Sequence, residues 1–139
     1  MINDSVLVIV DMLHDFIDGS LACANADNAV DNTLQFIQKT RDEDLPLLFI
    51  RDHHPANHSS FREFGGTWPV HCVAGTRGGE IDEKLQPYVD EDLTFDKGCD
   101  PAVEQYSGFD GVNAAGQSLG EVISMLEPEN VFVCGIATE

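Results

Sequence analysis

The sequence predicts an α/β fold, a parallel sheet with helices on both of its faces, formed as one domain over residues 1–139. Three observations predict it. Residues 5–10, SVLVIV, are a continuous run rich in β-branched residues, the pattern of a strand buried on both faces. The runs PLLFI (46–50) and VFVCG (131–135) repeat that pattern further along. Between them lie segments with apolar residues at helical spacing, and strands alternating with helices build parallel sheets.

After the first strand, DMLHDFIDGSLA (11–22) reads as a loop. AVDNTLQFIQK (29–39) places Val30, Leu34 and Ile37 on one side of an amphipathic helix. PLLFI is the second strand. Residues 51–80 have little periodicity and many Gly, Pro, His and Asp, and they hold the only Trp. A loop that long is uncommon in a compact domain unless it is functional. DLTFDK (92–97) predicts a short strand, and AAGQSLGEVISML (114–126) a helix with Leu119, Val122, Ile123 and Leu126 on one face. VFVCG is the last strand, and no helix follows it before Glu139. A strand of a parallel sheet is normally covered, and a bare apolar edge invites association. The C-terminal part of the fold is therefore expected to lie outside this chain, or an oligomeric partner to cover the edge.

Composition excludes several classes. No apolar stretch approaches the roughly 18 residues of a membrane span. The N-terminus MINDSVLVIVD lacks a basic region and reads as a strand, not a signal peptide. Seven Lys plus Arg against 25 Asp plus Glu give a net charge of -18. Such a surface repels phosphate backbones and anionic lipid, so neither nucleic acid nor membrane is an expected partner. Cys23, Cys72, Cys99 and Cys134 form no CxxC pair. Reduced thiols and a cytoplasmic location are the expectation.

In parallel sheets the site lies beyond the C-terminal strand ends. Asp11, Asp52 and GIAT (135–138) all follow strands. Asp52 and His54 of RDHHP (51–55) sit at alternate positions and face one side, and WPVHC (68–72) adds His71. One carboxylate and two imidazoles with open positions suit a catalytic divalent metal, zinc first, with iron and manganese also compatible. A lone D-x-H is a weak signal. The full D-x-H-P, N-H-x-S-F and GG-x-W-P-x-H-C series is far more specific. His53 is expected to point away; His58 and Glu63 are further ligand candidates.

Taken together, Asp11 in VDMLHDF, RDHHPANHSSF, GGTWPVHCVAGTRGGEI, Lys97 in FDKG, YSGFDG (106–111) and CGIATE (134–139) resemble the isochorismatase-like cysteine hydrolases. Within them they resemble the nicotinamidases. The motifs run in order across nearly the whole chain. The resemblance implies a Rossmann-like three-layer fold and metal-dependent hydrolysis of nicotinamide to nicotinate and ammonia, and the bare apolar edge makes a homo-oligomer the expectation. Asp11 and Lys97 match two members of the family's Asp-Lys-Cys triad. The third would follow GIATE after one further residue, past Glu139, so this polypeptide alone is expected to be silent. Cys134 lies within a strand and is no substitute.

The resemblance further implies a cis peptide between Ile136 and Ala137, with the Ala137 amide serving the oxyanion. It assigns Phe16, Trp68 and Tyr106 to the walls of the ring pocket. Leu13 departs from the family, which often has Gln there, and a local hydrogen bond is in doubt. Two other readings stand beside this one: a hydrolase of another small amide, and a truncated protein that only binds metal or nicotinamide.

Overall fold

A computed structural model of the protein describes residues 4–136, the Asp42 side chain excepted. Strands β1 (Ser5–Val10), β2 (Leu47–Asp52), β3 (Thr94–Lys97) and β4 (Asn130–Gly135) form one parallel sheet in the order β3-β2-β1-β4. Three α-helices accompany them: α1 (His14–Ile17), α2 (Ala26–Thr40) and α3 (Leu119–Leu126).

Successive side chains of a strand point to opposite faces. Leu7, Ile9 and Phe49 accordingly pack with Val30 and Ile37 of α2 on one face. Val6, Val8, Leu48 and Ile50 pack with Phe95 and with Leu119 and Val122 of α3 on the other. Helices thus cover both faces, as the continuous apolar runs predict. The register has a direct consequence for chemistry: Asp52 pairs with Lys97, at the C-terminal ends of β2 and β3.

Several boundaries differ from the sequence reading. Residues 11–22 contain the one-turn helix α1, and α2 begins at Ala26 rather than 29. β2 runs on to Asp52, and β3 starts at Thr94. The helix expected over 114–126 starts at Leu119, because Asn113 Oδ1 accepts the amides of Ala115 and Gln117 at 3.1 and 2.9 Å and holds a turn there. Ser118 and Glu121 then close a capping box, which fixes the start of α3. Leu126 is exposed instead of buried.

Residues 51–80 lack periodicity yet are pinned by isolated bridges, His54 to Val73 and Phe61 to Trp68. At the β4 edge Val131, Phe132 and Val133 are 45, 36 and 58% exposed, so the last strand is bare on its apolar side among the described residues. No helix there is long and apolar enough to cross a membrane.

Candidate active site and metal centre

The C-terminal ends of β1, β2 and β3 converge on a cavity of about 330 Å³. Asp11, Asp52, His54, His71 and Lys97 form its polar floor, and Phe16, Trp68 and Tyr106 line its sides. A small-ligand site is of this size and mixed character.

Asp11 directly follows β1, is 1% exposed, and adopts a left-handed backbone with φ 53°. Positive φ is uncommon outside glycine, and aspartate is among the residues that adopt it most readily. Its amide donates to the Ile50 carbonyl at 2.9 Å, which fixes the bend. Its Oδ2 accepts from Lys97 Nζ at 2.9 Å, while Oδ1 is buried without a partner among the described residues. Lys97 also donates to the Tyr106 carbonyl at 2.8 Å and lies 3.4 Å from Asp52 Oδ1. Burial pushes the Asp11 carboxyl up to about 7, against the opposing pull of Lys97. Burial disfavours the Lys97 ammonium, but Asp11 and Asp52 outweigh it and keep the lysine charged.

Asp52, His54 and His71, all buried, turn one ligand atom each toward a common point. His54 donates Nδ1–H to the Gly98 carbonyl at 2.8 Å, and His71 does the same to Pro69 at 2.8 Å. These bonds fix the tautomer and leave both Nε2 lone pairs facing Asp52 Oδ2, at 3.5 and 3.8 Å. Those gaps are long for hydrogen bonds. Two ligands each about 2.0–2.1 Å from one ion would stand roughly 3.3 Å apart at a tetrahedral angle. The donor set therefore fits a divalent metal ion. Burial alone would raise the Asp52 carboxyl, yet His54, Lys97 and His71 hold it below the usual range. Burial works against a charged His54, and the Asp52 carboxylate beside it and its bond to Gly98 prevail and raise its pKa. Burial lowers that of His71.

Gly98 is required where it stands. Its φ is +68°, and a Cβ there would lie 2.4 Å from His54 Cε1. Phe61, fully buried, sets its ring edge-on to His54 and His71 with centroids 5.7 and 5.4 Å away, an apolar wall behind the imidazoles.

The further ligand candidates do not join the cluster. His58 Nδ1 lies 2.7 Å from Ser60 Oγ and its Nε2 2.9 Å from the Val103 carbonyl, so both nitrogens are engaged. Glu63 is exposed in a 3₁₀ turn, and His53 stands outside the group. Cys134 contacts Thr33 Oγ1 at 3.5 Å, with its thiol pKa raised by burial, and lines no part of this cavity. The Leu13 side chain is fully buried in the apolar core in place of a polar contact, while its backbone forms an antiparallel bridge with Ile81. The amide of Ile136 donates to Val10, and Ala137, with the expected cis link, lies outside the described residues.

Two contributors escaped the sequence reading. Asp15 accepts from the Cys72 amide at 2.8 Å and so ties the His71 segment to α1. Gly78 leaves room for that carboxylate, since a Cβ there would fall 2.1 Å from Asp15 Oδ2. Glu104 accepts from Trp68 Nε1 at 3.2 Å, and a hydrogen bond with Glu104 raises the Tyr106 phenol pKa. It joins two walls of the cavity mouth. The only sequence signal for either was a carboxylate close to a motif residue.

Comparison with known proteins identifies relatives of this architecture. The profile of the isochorismatase domain matches residues 5–139. A nicotinamidase of Escherichia coli is 29% identical over 150 residues, 96% of this chain and 70% of the relative. The crystal structure of a pyrazinamidase of Pyrococcus horikoshii in complex with zinc superposes with a TM-score of 0.82 at 34% identity, covering 97% of this chain and 72% of that one. A structure of PnC1 from L. infantum in complex with nicotinate gives a TM-score of 0.77 at 31% identity, over 95% and 66% of the two chains.

Proposed function

The chain belongs to the isochorismatase domain family, and on that premise we propose that it is a hydrolase of the amide C–N bond that converts nicotinamide to nicotinate and ammonia. One observation carries the reading: a buried Asp11–Lys97 pair stands beside the Asp52, His54 and His71 cluster, under aromatic walls of a size for one flat ring. Relatives of this chain include nicotinamidases and pyrazinamidases.

An amide is a poor electrophile, and a thiolate divides its hydrolysis into two easier steps through a thioester. The nucleophile of this reading is the thiol of the Cys-Asp-Lys triad that the family resemblance implies. Asp11 takes the thiol proton on Oδ1, its unpartnered oxygen. The sulfur bonds the carbonyl carbon; as the C–N bond breaks, Asp11 returns the proton to nitrogen and ammonia leaves. Water then attacks the thioester with Asp11 again as base, releasing nicotinate and restoring the thiol. Lys97 keeps Asp11 ionised when the base is needed and stabilises the thiolate.

Asp52, His54 and His71 would hold one divalent ion, zinc in our reading, which supplies a Lewis-acid contact for the pyridine nitrogen. Phe16, Trp68 and Tyr106 flank the ring and exclude water from it.

Incubation of the protein, as its gene encodes it, with a panel of amides tests the reading. Nicotinamide should yield nicotinate and ammonia in equal amounts. Preference for an acyclic amide, or binding without ammonia release, would overturn it.

A further inference from the structure

A second histidine–carboxylate cluster lies away from the cavity. His14, Asp82 and Glu83 each bring a ligand atom within 4.8 Å of the others. None of the three lines the cavity. His14 is 4% exposed and Asp82 9%, whereas the Glu83 side chain is 77% exposed and opens the cluster to solvent.

The backbone presets this arrangement. The His14 amide donates to the Glu80 carbonyl at 3.1 Å, and the Asp82 amide to the Met12 carbonyl at 2.9 Å. Leu13 and Ile81 form an antiparallel bridge between those bonds. Asp82 Oδ1 accepts the Lys84 amide at 2.9 Å, which orients the carboxylate. His14 Nε2 stands 2.9 Å from Glu83 Oε2.

His14 Nδ1 is the telling atom. Among the described residues it is buried without a hydrogen-bond partner, and Asp18 Oδ1 stands 3.6 Å away. Buried polar atoms are nearly always satisfied, so an orphan calls for a reason. Metal-bound histidines turn the nitrogen that does not bind toward a carboxylate, which fixes the tautomer and strengthens the ligand. Asp18 occupies that place, and Arg77 grips it through two contacts of 3.1 Å.

We propose that His14, Asp82 and Glu83 form a second binding site for a divalent first-row metal ion such as zinc or cobalt, with Asp18 orienting the imidazole. The donors, one nitrogen and two carboxylates, suit such ions, and water completes the coordination. A bound ion would clip α1, which begins three residues after Asp11, to residues 80–83. The site rests on these residues and not on the proposed reaction.

The test is titration of metal-free protein, in its natural length, with Co²⁺, followed by calorimetry and visible absorption. Wild type should bind two equivalents. Asp82→Asn with Glu83→Gln should bind one, and Asp52→Asn should retain the equivalent that the double variant loses. Asp18→Asn should weaken that equivalent by about tenfold or more. Glu83 is solvent-exposed, so Glu83→Gln alone keeps the test intact if the double variant does not fold. A single equivalent in wild type, or two unchanged equivalents in the Asp82→Asn/Glu83→Gln and Glu83→Gln proteins, would overturn the proposal and leave an ordinary ion cluster.

Discussion

The floor and the mouth of the cavity are built differently. The floor stands largely on strand ends: Asp11 after β1, Asp52 ending β2, Lys97 ending β3, each less than a tenth exposed. The mouth stands on irregular segments, with Trp68 39% and Tyr106 69% exposed. Rigid strands can hold charged groups to fixed distances, and burial makes those charges strong. Loop aromatics cannot hold such tolerances, and a flat ring does not need them. The chemistry should therefore reside in the floor and tolerate little change, while the mouth should tune binding.

Mutations should separate the two regions. The largest effect is expected from Lys97→Met or Asp11→Asn, which removes the proton shuttle. Nicotinamide turnover should fall by roughly 10²–10⁴-fold with little change in KM. Next comes the metal cluster. Asp52→Asn, or a chelator, should lower kcat/KM by about 100-fold, because a misplaced ring costs that much. Metal analysis of the same samples should show the loss of an ion.

That centre should also respond to pH. The His54 pKa is raised, so its proton competes with the ion above the ordinary histidine range. Metal affinity should fall as pH drops through that value, and calorimetry in buffers of different ionisation heat should record proton release on binding.

Gly98→Ala tests the floor by shape alone. The added methyl meets His54 and sits at φ +68°, so a loss of about 1–3 kcal/mol in stability is expected, read as a lower Tm, together with weaker metal binding. The smallest effect should come from the mouth. Glu104→Gln weakens the hold on Trp68, worth about 0.5–1.5 kcal/mol. A few-fold rise in KM at constant kcat would fit; a collapse of kcat would blur the distinction between floor and mouth.

The legibility of the sequence follows the same division. β1 was readable because five apolar residues in a row, Val6 to Val10, suit a strand covered on both sides, and Asp11 stands out as the charge that ends the run. Asp52, His54 and Lys97 were readable because strand-end geometry and motif spacing act locally. The start of α3 was misplaced because the apolar spacing does not reveal that Asn113 binds two backbone amides and holds a turn. His58 is only a further ligand candidate in the sequence, and its two nitrogens are engaged by Ser60 and Val103, the second of them 45 residues away in the chain. Asp15 and Glu104 were missed for a related reason. Their partners, Cys72 and Trp68, lie 57 and 36 residues distant, and local spacing carries no signal for such contacts.

The central claim is that Asp11 moves the proton in amide hydrolysis at this site. The most direct measurement is ammonia release from nicotinamide by the Asp11→Asn protein, with metal content determined on the same sample. Unchanged metal content with turnover reduced by at least about 100-fold is the result expected of a lost general base. Turnover near the wild-type rate in a metal-loaded Asp11→Asn protein would contradict it.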